Sequence, residues 1–225
     1  MVIMEIDIEA VRVAIYRNFV NVGESIRADE LAEEFGTSLP TIQDGLRQLA
    51  DKHHVVLDQE GRIIMAHPFS SIPLGFSVMG QHTLWWGGCA WDSFALPHIL
   101  PGDDAVLIAT QCPNCDRAHA WSVNKQKPPD GAQVAHFLTP TAHIWDDVIH
   151  SCLNQSIFCS EECVHAWLSK TDQSLGYIMD LPTLWHLASH WYEGRFEYGY
   201  IRRDPAVAAA YFQSVGLSGP FWGTP

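Results

Sequence analysis

Basic residues are scarce in this chain. Only 13 Lys and Arg stand against 26 Asp and Glu, leaving a formal charge of −13. So few cations cannot neutralise a row of phosphates, which argues against non-specific binding to nucleic acid or anionic lipid. Long apolar runs are also missing: Ala105-Val106-Leu107-Ile108-Ala109 is typical of the longest, far short of a membrane span. The opening residues Met1-Val2-Ile3-Met4-Glu5 lack the basic and apolar regions of a signal peptide. On these grounds the protein reads as cytoplasmic. Paired histidines at metal-ligand spacing are absent near the cysteine motifs. His82, His98, His119 and His165 therefore read as surface or hydrogen-bonded core residues.

What the chain has in quantity is material for a core. Apolar residues make up 47%, nine of the residues are tryptophan, and 225 positions give room for one large domain or two small ones. Six cysteines in a reducing compartment are better explained as metal ligands or reactive thiols than as a disulfide framework.

The first 67 residues predict three helices and a hairpin. Val11, Ile15 and Phe19 recur at helical spacing before Gly23; Ala28 to Phe35 precedes Gly36; Ser38 caps a third helix carrying Ile42, Leu46 and Leu49. Val55-Val56-Leu57, the turn Asp58 to Gly61, and Arg62 to Met65 then form a hairpin. This order resembles a winged helix-turn-helix. Residues 1–70, however, hold six basic against twelve acidic side chains, and the third helix sets Asp44 and Asp51 against Arg47 and Lys52. A structural module is the better expectation than a DNA reader. His67 to Gly75, with Pro68 and Pro73, reads as an extended connector. The predicted layout is a winged-helix-like domain over 1–67, a connector over 68–80 and a second domain over 81–225.

The chemistry-bearing residues lie in that second part. Gly87-Gly88 gives a tight turn, after which Cys89 to Leu96 can form a helix stopped by Pro97. Cys89 in the first turn would have its thiolate favoured by the helix end, with Asp92 on the same face to exchange protons. Isolated, such a pair is more often a buried cysteine and a dipole-matched acid. Further on, Cys112-Pro113-Asn114-Cys115 is a C-x-x-C knuckle, and Cys159 and Cys163 flank a helix start capped by Ser160. Knuckle and helix start together look like a treble-clef zinc site of four thiolates. Cys152 is left over and reads as an apolar filler.

With Cys89-Ala90-Trp91-Asp92 followed by Ala95-Leu96-Pro97, by Cys112 and by Cys159, the chain resembles the alkylmercury lyase (organomercurial lyase) family from about residue 10 to the end. Trp191 to Arg195 and Gly216 to Trp222 are similar to the family as well, without an assignable chemistry. The resemblance implies an α+β fold: a winged-helix-like domain followed by a lyase-like domain with a small antiparallel sheet, flanking helices and a treble-clef-like core. It implies protonolysis of a carbon–mercury bond, with Cys89 and Cys159 as the mercury-binding thiolates and Asp92 as proton relay. No cofactor would be required for catalysis. The expected partners are the organomercurial substrate, small thiols and a mercuric-ion-accepting reductase, with no nucleic acid and no membrane. A structural zinc on Cys112, Cys115, Cys159 and Cys163 competes with this assignment for Cys159. The alternative function is therefore a non-catalytic zinc or heavy-metal-binding relative. Strands near 105–109, 119–123, 134–138 and 155–159 are expected in one sheet.

Overall fold

The computed structural model describes residues 6–102 and 104–224. Residues 1–5, whose sequence lacks the regions of a signal peptide, lie outside the described residues. No helix among the described residues is long and apolar enough to cross a membrane.

Helix α1 (Ile8–Val22) begins where Asp7 accepts hydrogen bonds from the amides of Glu9 and Ala10. It ends at Gly23, whose φ of 82° closes the helix with a bond from its N–H to the Phe19 carbonyl. α2 (Ala28–Glu34) and α3 (Leu39–Asp51) follow, the latter capped by Ser38, and strands β1 (Val56–Leu57) and β2 (Ile63–Ala66) form the expected hairpin.

The hairpin does not end a unit. β3 (Phe69–Ser70), β4 (Phe76–Met79), β5 (Leu84–Gly87), β6 (Ala105–Gln111) and β7 (Ala118–Asn124) extend it into one antiparallel sheet of seven strands, ordered β1-β2-β3-β5-β4-β6-β7. The stretch 68–80, expected as a connector, supplies two of those strands. Pro68 and Pro73 fall between strands rather than within them, so no ladder bond is lost to either. The boundary expected at residue 67 is bridged in the same way, because Ala66 pairs directly with Phe69.

A second sheet has the order β10-β8-β9, built from β8 (Val134–Phe137), β9 (Gln155–Phe158) and β10 (Tyr177–Asp180). The strands expected to share one sheet are thus divided, two at the edge of the large sheet and two in the small one. Local alternation reveals which residues face the core but not which strand lies alongside.

Helix α4 (Ala90–Ile99) is buried along nearly its whole length and packs against α7 (Leu181–Ser189). It runs two residues past Pro97, the expected stop; the proline forfeits one bond in the last turn, and Leu100 still donates to Leu96. α5 (Val148–Leu153), α6 (Glu161–Thr171) and α8 (Pro205–Ser214) complete the helices.

One contiguous core runs from α1 (Val11, Ile15, Phe19) through Phe69, Val78, Val106 and Phe94 to Leu184 and Trp222. Phe19 stacks on Phe69 at 5.3 Å between ring centroids, and the Trp85 indole donates to the Phe19 carbonyl at 2.8 Å. Arg12, fully buried, pairs with Glu9 and donates to the carbonyls of Arg195 and Glu197 at 2.5 Å each. The front helices are therefore part of the same packed body as the C-terminal loop. All nine tryptophans lie at position 85 or later, so their fluorescence reports on that later part. Phe19→Ala should cost about 3–5 kcal/mol, the range for emptying a buried phenylalanine site. It should lower the tryptophan-detected unfolding midpoint; a midpoint that stayed put would mean the front helices unfold independently.

Candidate active site

The start of α4 is where three chain segments meet. β3 pairs with β5 so that Phe69 lies opposite Gly87, and the Gly88 N–H donates to the Pro68 carbonyl at 3.3 Å. These contacts set His67 beside the first turn of α4. Gly88 carries no side chain for a steric reason: a Cβ there would lie 2.2 Å from an Asp92 carboxylate oxygen and 2.6 Å from the Met65 methyl. The carboxylate occupies the space that any larger residue would take.

Cys89 is the N-cap of α4, and its sulfur accepts the Asp92 N–H at 3.4 Å. Its thiol donates to Gln155 Oε1 at 3.0 Å, linking α4 to the first residue of β9. Cys152, three residues earlier in α5, lines the same cavity and is electrostatically linked to Cys89. The Cys152 sulfur is also 3.6 Å from His67 Nε2, and that nitrogen is 4.0 Å from Asp92 Oδ2. His67, Asp92 and Cys152 place their ligand atoms within 4.8 Å of one another, all buried.

Asp92 is only 1% exposed. Tyr192 donates its hydroxyl to Oδ1 at 2.5 Å, whereas Oδ2 has no hydrogen-bond partner. Arg195 lies over the Tyr192 ring at 5.4 Å and is itself held by the hydroxyls of Tyr16 (2.9 Å) and Tyr200 (3.0 Å). A cavity of about 410 Å³ opens onto these groups, with Trp91, Trp145, Trp191 and Phe212 as apolar walls.

The electrostatics divide the two thiols. Burial, the neighbouring Cys152 and the Asp92 charge hold the Cys89 pKa well above the ordinary thiol range. Cys152 is brought down to about 7, first by the neighbouring Cys89 thiol and then, against burial, by His67. For His67, burial pulls the pKa down, but the Asp92 charge and Cys152 outweigh it and the net shift is upward. Burial and the same carboxylate keep the Tyr192 phenol protonated well beyond its usual range. The two thiols are thus pushed in opposite directions, Cys152 toward the thiolate and Cys89 toward the thiol.

Cys89 and Asp92 thus come together as expected. Cys159 does not join them. It sits with Cys112, Cys115 and Cys163 in a separate cluster, with its sulfur 3.5 Å from that of Cys115, and it does not line the cavity. Cys152, read from sequence as a filler, instead lines the cavity with Cys89 and Asp92. A signal for this existed: the C-x-x-C knuckle and the C-x-x-x-C helix start already complete a set of four, which leaves Cys89 and Cys152 for each other. Nothing local in the sequence marked His67 or Gln155, while Tyr192 and Arg195 lie in the Trp191 to Arg195 stretch whose family likeness carried no assignable chemistry.

The family model for alkylmercury lyase (MerB) matches residues 69–193, more than half of the chain and a span containing Cys89, Asp92 and Cys152. The chain belongs to the alkylmercury lyase family. Among solved structures it is similar to one titled "Crystal structure of the mercury-bound form of MerB2", at 19% identity and a TM-score of 0.59. That match covers 79% of this chain and 87% of the other. A search of curated proteins gave no match.

The thiol pair makes a checkable demand. Alkylation of Cys152, followed peptide by peptide in a mass spectrometer, should accelerate as pH rises through about 7, because only the thiolate reacts. Cys89→Ser removes the neighbouring thiol that favours that thiolate, so the midpoint should move up towards the ordinary thiol value. An unmoved midpoint would show that Cys89 does not set the acidity of Cys152.

Proposed function

We propose that this protein is an organomercurial lyase that cleaves carbon–mercury bonds by protonolysis, with Cys89 and Cys152 as the mercury-binding thiolates and Asp92 as the proton relay. The observation that carries the reading is a set of two buried cysteines, Cys89 and Cys152, and a carboxylate with one unpartnered oxygen, all lining one cavity. Mercury is a soft metal and prefers thiolate, the same preference that assigns soft metals to cysteine elsewhere.

The sequence of events follows from the acidities. The Cys152 thiolate attacks R–Hg–X first and displaces X⁻. Cys89 bonds next and gives its proton to Oδ2 of Asp92, the oxygen that lacks a partner. The second sulfur raises electron density on mercury and weakens its bond to carbon. Asp92 then delivers the proton to that carbon as the bond breaks, releasing R–H and leaving Hg(II) between two sulfurs. Tyr192 fixes the other carboxylate oxygen and leaves Oδ2 free to exchange the proton. His67 favours the Cys152 thiolate at the outset. The tryptophan walls suit an apolar R group and exclude water from a carboxylate that must hold and return one proton.

No organic cofactor enters these steps. Small thiols would remove the product ion, and a reductase accepting mercuric ion is the class of partner that would consume it. The N-terminal helices and hairpin we read as a winged-helix-like support rather than a nucleic-acid reader. Arg17, Arg27, Arg47 and Arg62 are each paired with carboxylates, which leaves little free positive charge on that face. A purely metal-binding relative needed Cys159 to be unavailable for catalysis; with Cys152 in the pair, that conflict disappears.

Hydrocarbon release from an organomercurial in excess small thiol tests the assignment. Wild type should turn over, and Cys89→Ser and Cys152→Ser should each abolish release, since a hydroxyl is too hard to replace a thiolate on mercury. Asp92→Asn should still bind the organomercurial while cleaving it far more slowly, the pattern of a lost proton carrier. Stoichiometric mercury binding by wild type with no hydrocarbon would reject the lyase.

A further inference from the structure

The four cysteines outside the cavity form a second constellation that the lyase chemistry does not use. Cys112 and Cys115 flank a knuckle that follows β6. The knuckle is closed by bonds from the Asp116 N–H to the Cys112 carbonyl and from the Cys112 N–H to the Arg117 carbonyl, with Asp116 at a φ of 58°. Cys159 follows β9 and Cys163 lies in the first turn of α6. Chain segments more than forty residues apart thus present four sulfurs, each within 4.8 Å of the others.

We propose that Cys112, Cys115, Cys159 and Cys163 bind one zinc ion, as a structural site separate from the thiol pair. Geometry carries the inference. Four sulfurs at about 2.3 Å from a central zinc stand about 3.8 Å apart along the edges of a tetrahedron. The Cys115–Cys159 separation is 3.5 Å, and all six separations lie within the limit just given. Disulfide pairing would bring sulfurs to about 2.05 Å in twos, whereas these converge as a set and all six cysteines of the chain are free.

The surroundings fit a metal as well. His119 Nε2 is 3.4 Å from the Cys159 sulfur, placed to donate to a thiolate when that nitrogen carries the proton. Cys159 and Cys163 flank the N-terminal end of α6, where the helix dipole favours negative sulfur. The local core is small: beside Cys112 its buried residues are Phe158, Val164 and Leu168, with Trp167 and Ile178 among the partly buried residues on it, so a metal would add a staple between knuckle and helix. A side-chain clamp, Lys170 donating to the Asn114 carbonyl and side-chain oxygens at 3.2 and 2.7 Å, joins the same two elements. Cys115 is exposed, so one edge of the cluster is open to chelators.

The test measures metal, independently of any lyase activity. Protein purified without added metal should contain one zinc per chain by mass spectrometry. After stripping with a chelator, cobalt(II) added to the wild type should bind one equivalent and show the sulfur-to-cobalt charge-transfer band of a four-thiolate site. Cys115→Ser and Cys163→Ser should lose the metal and melt at lower temperature, while Cys89→Ser and Cys152→Ser should keep it. Wild type with no zinc, with iron in its place, or with zinc that disappears only in Cys89→Ser and Cys152→Ser would overturn the proposal. So would disulfides among these four cysteines in freshly purified protein.

Discussion

A carboxylate sealed from water, with one oxygen bonded and the other bare, is the constraint on which the rest of this structure depends. Leaving an acceptor unpaired in a protein interior costs about 1–3 kcal/mol, more when it is charged. Asp92 bears that cost beside two thiols, and several elements act to keep it there. Gly88 vacates the space the carboxylate occupies, Tyr192 fixes Oδ1, and His67 lies 4.0 Å from Oδ2. The strain is chemically useful. The unpartnered oxygen is the one the proposed mechanism uses to carry the proton between Cys89 and carbon.

The charge balance around that carboxylate reaches well outside the cavity. Arg195 is buried with the rings of Tyr16, Tyr192 and Tyr200 around it, and no carboxylate salt-bridges it among the described residues. Its hydrogen bond to the Tyr16 hydroxyl ties α1 to the floor of the site, and Arg12 from the same helix takes the Arg195 carbonyl. The N-terminal helices are therefore packed against Arg195, which lies over the Tyr192 ring. This gives them a physical role that needs no nucleic-acid partner.

Elements with a strong local signature were legible in the sequence. The three front helices, the hairpin and the starts of α4 and α6 carry caps, glycine stops and periodic apolar residues, and all lie close to their expected bounds. Strand partnership was not legible, because the two-residue strand β3 inserts between β2 and β5 through contacts no local pattern encodes. The same limit explains the site. Cys89 and Asp92 share one helical turn and were found together. Cys152 reaches them only because β9, which follows α5, brings Gln155 to the Cys89 thiol. Cys159, four residues beyond Gln155, is carried past the cavity to the cysteine cluster.

The central claim is that soft metal chemistry takes place between Cys89 and Cys152 and not at Cys159. Anomalous diffraction from crystals of the metal-replete protein, soaked with one equivalent of Hg(II), tests it most directly. A single mercury peak bridging the Cys89 and Cys152 sulfurs, within reach of Asp92 Oδ2, is the result this account predicts. A peak among Cys112, Cys115, Cys159 and Cys163, with the Cys89–Cys152 pair left empty, would contradict it.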